Sequence, residues 1–356
     1  MKNWLIVVVL VPLLAAVAFR GYMFAHRSDI GPIDDLDLLL IRPDIAPEDN
    51  AYPVFASATN VLHLPEEYKL NDFLWGDTNE VVFSHEQIVA LLETNTILIA
   101  TISTGLNKEF CFRDNSLQAP ILAREFSQMH TLLLTKVKVL LDAGKLDDAF
   151  DAALSSLRFG YLIQKDAEYI IEALSGIAMI QRSLIFIEKI IEQYKPPAVK
   201  RLALIEQLSN FENLRLGMEN GYKGEYLVQA NEVTRLLEFN QTRHKGFKPV
   251  LKIISKDYVF KPNATKKILA DRWRRQIYNL NHPECVKVQQ GTRDYEFPEG
   301  FLKSHLFCLK ENSVGKIFLF VTAVGDFSGA HDEIYSAEIK VLELKKKLSL
   351  DLMLPE

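Results

Sequence analysis

Cysteine is scarce in this sequence: Cys111, Cys285 and Cys308 are the whole supply in 356 residues. Three thiols cannot staple a chain of this length as a disulfide scaffold. An excess of basic charge is also lacking, since 41 Lys and Arg face 46 Asp and Glu for a formal net charge of -5. No global field therefore favours nucleic acid. Recognisable catalytic signatures are missing too. The sequence has no glycine-rich phosphate loop, dinucleotide fingerprint, H-E-x-x-H or G-x-S-x-G, which removes the enzyme classes that announce themselves this way. Low-complexity tracts are absent, and with 48% hydrophobic residues the chain can bury a sizeable core as one large or two modest domains.

What is present starts with Lys2 and an uncharged run from Asn3 to Phe19, interrupted by Arg20. At about 1.5 Å per residue the run spans about 25 Å, just short of a hydrocarbon core of about 30 Å. Gly21 to Ala25 extend it if Arg20 snorkels to the interface. The expectation is an anchor crossing a bacterial inner membrane once through residues 4-25, with the body on the periplasmic side. The alternative is a signal peptide cleaved near Ala18, because Ala16-Val17-Ala18 has the small-x-small form that signal peptidase reads. Residues 1-26 form this segment. Residues 27-49 follow as an extended stalk rich in Pro and Asp, including Asp34, Asp35, Asp37, Pro43 and Pro47. Those aspartates lack the ligand spacing and central glycine of a calcium loop, so a solvated linker is expected.

The body, 50-356 with a possible sub-boundary near 240-262, is organised around Gln118 to Phe211, where apolar residues keep helical spacing. Leu122, Phe126, Met129, Leu133, Val137 and Leu140 form one stripe, ended by Gly144. Leu146, Phe150, Ala153, Leu157 and Tyr161 form a second after a connection so short that the two helices must lie antiparallel. Ile170 through Ile191 make a third, stopped by Pro196-Pro197, and Val199, Leu202, Ile205, Leu208 and Phe211 a fourth. The turn Ala143-Gly144-Lys145-Leu146-Asp147-Asp148-Ala149 resembles the inter-helix turn of a tetratricopeptide repeat, without a second copy at a period of about 34 residues. Elsewhere Ser84 and Gln87 have capping-box spacing, and Asn263 is placed to cap a helix through Trp273. The fold expected is mainly α: an N-terminal transmembrane helix plus an antiparallel helical bundle or irregular α-solenoid. A small irregular or β portion is expected near 281-311, with a strand near Val286-Lys287-Val288.

Three groupings carry possible chemistry. Between Arg235 and Arg275 the chain is basic, and Lys245, Lys248, Lys252, Lys256, Arg272, Arg274 and Arg275 are candidates for contact with anionic lipid or an acidic partner. A solvated helical face is the plainer reading. Glu212, Glu219 and Glu225 near Tyr222 and Tyr226 offer an acid-base set for an envelope hydrolase, although acids at helical spacing are usually a solvated face. His282-Pro283-Glu284-Cys285 and His305-Leu306-Phe307-Cys308 are two H-x-x-C pairs, which hold the ligand types of a tetrahedral zinc site. In an oxidising compartment Cys285 and Cys308 could instead pair, closing their loop for about 3 kcal/mol, or the recurrence could be chance. Cys111, between Phe110 and Phe112, reads as a packed free thiol.

Pro47-Glu48-Asp49-Asn50-Ala51-Tyr52, Leu157-Arg158-Phe159-Gly160, Lys261-Pro262-Asn263-Ala264-Thr265 and Asn312-Ser313-Val314-Gly315-Lys316 together resemble a loose group of uncharacterised bacterial proteins. Members have an N-terminal membrane segment and a helical body. They commonly carry proline where Ser313 stands and run on into a proline-containing turn and small β element, for which this sequence shows no counterpart. The resemblance implies no catalytic residue and no cofactor. The function expected is a non-enzymatic cell-envelope protein whose helical body contacts a protein partner or the membrane face, with no nucleic acid. An envelope hydrolase with an unrecognised acidic site is the alternative.

Overall fold

The structure, a computed structural model, describes residues 2-64, 70-75, 83-113, 121-242, 260-282, 319 and 328-353. Twelve α-helices occur among them, and no strand. They are α1 Lys2–Ala25, α2 Tyr52–Thr59, α3 Leu70–Trp75, α4 His85–Thr94, α5 Thr96–Leu106, α6 Ala123–Asp142, α7 Leu146–Lys165, α8 Ile170–Gln193, α9 Ala198–Asn210, α10 Arg215–Thr242, α11 Pro262–Asn281 and α12 Ser328–Met353. The expected strand at 286-288 and the second H-x-x-C pair lie outside the described residues. The chain forms two compact units, one of Met1–Leu39 with Glu225–Asp326, the other of Leu40–Gly224 with Phe327–Glu356. The division falls inside α10.

In the larger unit, local chemistry fixes several ends. Ser84 and Gln87 form the reciprocal capping box of α4, which satisfies two orphan N–H groups. Gly144 adopts φ 71° after α6. The N–H of Gly144 donates to Leu141 and that of Lys145 to Leu140, a Schellman closure that a residue with a Cβ makes at a cost. The chain then reverses into α7.

Helices α6, α7 and α8 pack on one another, and α8 also meets α12. Phe55, Phe126 and Phe159 meet edge to face at centroid distances of 4.8 to 6.3 Å, the arrangement their ring quadrupoles prefer. Gly105 lets α5 close on the ring of Phe55. His130 sits in the same interior. Its Nε2 is 3.0 Å from the Ser183 hydroxyl, which lies 3.0 Å from that of Ser156. Burial lowers the His130 pKa to about 3, with Arg182 assisting, so the imidazole is neutral across the physiological range.

By length and apolar composition α8 could cross a membrane, and 61% of its most apolar window is buried within the protein. Its buried residues include Ile177, Ile180, Leu184 and Ile187 from the expected stripe, together with Met179 and Phe186. The fourth stripe comes out in part, with Leu208 and Phe211 buried as expected and its first half turned away. Val199 and Leu202 are 77% and 56% exposed, while Arg201, Leu204, Leu208 and Phe211 are buried. Helix α9 carries two apolar arcs, and the one facing the unit is rotated from the one read by spacing.

In the smaller unit the presumed stalk is extended but engaged. The Asp29 carboxylate accepts the N–H groups of Asn263 and Ala264 at 2.7 and 3.0 Å. It thereby caps α11 from outside the helix, where Asn263 had been expected to do so. The Asn263 side chain instead donates to the Ile30 carbonyl. Asp37 takes a forked pair of bonds from Arg274 at 2.8 and 2.6 Å, and the Asp34 carbonyl accepts a third from it. Tyr226 donates to Asp35, Leu38 is buried and Trp273 donates to Gln229 at 3.2 Å. The Asp-rich composition thus reflects specific partners on α10 and α11.

Candidate functional site

The residues singled out in sequence separate on folding. Lys245, Lys248, Lys252 and Lys256 lie outside the described residues, as do Cys285, His305 and Cys308. His282 is described. Its ring stacks on Tyr278 with centroids 4.2 Å apart and its Nδ1 meets the Tyr278 carbonyl at 3.0 Å. Of the basic residues on α11, Arg274 is committed to Asp37. Arg272 is half-buried, with Nη1 3.5 Å from the Leu319 carbonyl, and Arg275 is exposed. Among the acids, Glu219 is ion-paired with Lys223 at 2.7 Å, one helical turn away. Tyr222 is buried and 2.7 Å from His331 Nε2, and burial pushes its phenol up. The side chain of Glu212 is outside the description. Glu219 and Tyr222 therefore have partners that hold them in place, and neither presents a free reacting group.

Two arrangements that spacing did not foretell stand out in the larger unit. The first is a buried ionic junction at the α7–α8 connection. Glu168, Glu172 and Asp166 are buried there with Arg113. Arg42 pairs with Glu168 and donates to the Arg113 carbonyl at 3.3 Å. Arg113 lies 3.8 Å from Glu168, with its guanidinium carbon 4.4 Å from the centre of the Tyr169 ring. Asp166 accepts the N–H of Cys111 at 2.7 Å, and Glu172 accepts that of Glu168 at 3.1 Å.

Burial raises all three carboxyls, against the lowering pull of Lys165 on Asp166, Arg42 on Glu168, and backbone hydrogen bonding on Glu172. Burial likewise pushes the Cys111 thiol well up, which leaves it a packed group and a poor nucleophile. Helix α10 closes over this turn with glycines. A Cβ at Gly217 would strike the Gln164 carbonyl, and one at Gly224 the Glu168 carbonyl. Their spacing with Gly221 puts all three on one helical face, a signal that was available in the sequence.

The second arrangement is an open groove of about 520 Å³ between α5, α7 and α9. Ser103 and Asn107 line it from α5 and its end, Ser155 and Arg158 from α7, and Gln207 from α9. Arg158 donates through Nε to the Leu106 carbonyl at 2.5 Å and through Nη2 to the Lys108 carbonyl at 3.1 Å. A cation on the last carbonyls of α5 is favoured by the helix dipole, and it fixes the guanidinium in the groove wall. The Oε1 of Gln207 is buried without a hydrogen-bond partner among the described residues. Among the described residues the lining holds one cation and no carboxylate. Arg158 belongs to the Leu157-Arg158-Phe159-Gly160 phrase noted in sequence, but nothing in its spacing marked it as facing a groove.

No metal-binding group of His, Cys, Asp and Glu occurs among the described residues. Comparison with protein-family models, curated proteins and solved structures finds no significant match to this chain.

Proposed function

We propose that this chain is a non-enzymatic protein of the bacterial cell envelope. In this reading α1 anchors it once in the inner membrane, the body stands on the periplasmic side, and the larger unit serves binding through the α5–α7–α9 groove. The observation that carries the membrane assignment is the surface of α1. Leu14, Val17 and Phe24 are 58%, 62% and 62% exposed, on a helix that continues without a break through Arg20 to Ala25. At about 1.5 Å per residue such a helix reaches about 36 Å, enough for a hydrocarbon core of about 30 Å. Leu14, Val17 and Phe24 share one face of the helix, and an exposed apolar face on a helix of this length suits a covering of lipid. Its far end carries the side chains of an interface. Arg27 lies 3.9 Å from the centre of the Phe24 ring, and Tyr22 stacks on His26, groups that suit the head-group level.

The full chain, expressed in a bacterium and washed in alkaline carbonate, should stay in the membrane fraction at full-length mass. A periplasm-active reporter on the C-terminus should be active. A carbonate-soluble protein beginning after Ala18 would overturn the anchor in favour of a cleaved signal. A photo-crosslinker in place of the exposed Ser103 tests the binding body, which is contradicted if no adduct forms in intact cells.

A further inference from the structure

We infer that the Arg158 groove binds the carboxy-terminal end of a peptide, with the terminal carboxylate on Arg158 and a backbone N–H of the peptide on Gln207. This rests on the reading of the larger unit as a binding body and names what it binds. Arg158 spends its side edge, Nε and one Nη2 hydrogen, on the carbonyls of Leu106 and Lys108. The end-on edge remains, with both Nη1 hydrogens and the second on Nη2, and that fork matches the two oxygens of a carboxylate. No acid among the described lining residues competes for it.

Three of the other polar groups offer acceptors, and Asn107 can donate as well as accept. Gln207 Oε1 is a buried acceptor without a partner among the described residues, and a bound N–H would satisfy it. The hydroxyls of Ser103 and Ser155 already donate to the carbonyls of Ile99 and Asp151 at 2.9 Å each, so what they offer a ligand is lone pairs. One anionic group beside one or more N–H donors is the chemistry of a peptide end. An inorganic phosphate dianion would serve Arg158 but brings a single O–H for several acceptors, whereas a neutral sugar would serve the acceptors and leave the cation without a counter-ion. The groove volume, about 520 Å³, falls among those of small-ligand sites, roughly 300–1,000 Å³.

The test uses the full chain in detergent micelles and fluorescence anisotropy with a pool of N-terminally dye-labelled tetrapeptides, either with a free carboxylate or amidated. The acid pool should bind saturably, and amidation should weaken it by about tenfold or more, the loss expected when a charge-assisted fork is removed. Arg158→Lys, which keeps the charge and loses the fork, should weaken the acid pool and leave the residual amide binding unchanged. Gln207→Glu should abolish acid binding by repulsion. Ser103→Trp fills the groove from an exposed position and should block both pools while thermal unfolding stays as in the parent, so a folding defect in an Arg158 variant does not shelter the idea. Equal binding of the acid and amide pools, binding of neither, or displacement by inorganic phosphate alone would overturn it. If Ser103 crosslinks in cells but the peptides show no carboxylate preference, the peptide-end inference falls and the binding body stands. Loss of membrane retention bears only on the anchor.

Discussion

The larger unit contains two arginine sites, one on α7 and one at the connection that follows it, and they use the same side chain in opposite ways. At the α7–α8 junction Arg113 is 4% exposed, and its charge is consumed in offsetting those of the buried Glu168 and Glu172. In the groove Arg158 is half-buried beside helix carbonyls with no carboxylate in the lining, and part of its fork is unspent. Burial with counter-charges makes an ionic group part of the fold, because desolvation penalises any state in which a partner is missing. Partial exposure against neutral acceptors fixes the position of a charge without neutralising it. The first site is therefore expected to respond in stability and the second in binding.

The sharpest way to break that contrast is Arg113→Ala. It leaves Glu172 buried without its nearer cation and Glu168 with Arg42 alone, and the expected loss is about 3–5 kcal/mol, read as a lower midpoint in urea unfolding. A loss below about 1 kcal/mol would show that the junction is solvated and resembles the groove. Next in size is Gly224→Ala, where the new methyl meets the Glu168 carbonyl. Overpacking of this kind costs about 1–3 kcal/mol. Gly329→Ala on α12, where nothing lies within 4 Å, is the control and should be neutral or mildly stabilising.

A smaller effect follows from pH. Asp166, Glu168 and Glu172 are raised from ordinary values of 3.8, 4.5 and 4.5, first of all by burial. The folded state thus holds protons that the unfolded chain would have released, and stability falls wherever the folded state binds more protons. Their contribution is complete below the unfolded values and is lost as pH rises through the folded ones. Between pH about 4.5 and 7 the parent should lose more stability than Glu172→Gln, which cannot ionise there. Identical slopes for the two proteins would show that Glu172 titrates as an exposed acid. The smallest effect on folding is expected for Arg158→Lys, within about 1 kcal/mol in the same urea assay, since it removes no charge from a buried set. A loss as large as that of Arg113→Ala would make Arg158 a structural group and merge the two sites.

Much of the helical order was legible before folding. The stripes of α6, α7 and α8, the positive-φ glycine at 144 and the Ser84–Gln87 box are local features, set by spacings of three to four residues and by single side-chain preferences. The register of α9 was not legible. Val199 and Leu202 form as good an apolar arc as Leu204 and Leu208, and only the partner surface chooses between them. The glycines at 217, 221 and 224, unfavourable in an isolated helix, let the backbone of α10 approach the α7–α8 turn. The Asp-rich run at 29–37 read as a solvated linker because its partners, Asn263, Tyr226 and Arg274, lie about 190 to 240 residues away in the chain, beyond the reach of any local pattern.

By itself, then, the sequence determined that this chain is mainly helical and where its central helices reverse. Those outcomes follow from backbone propensity, turn chemistry and the hydrophobic effect acting over one or two helical turns. Only the tertiary structure decided that Arg113 is buried among acids, that Arg158 faces a groove with a free edge, and that the aspartates after α1 serve as caps and ion-pair partners. Desolvation and hydrogen-bond satisfaction depend on which groups meet across the fold, and the free energy of a charge is set by those neighbours and not by its place in the chain.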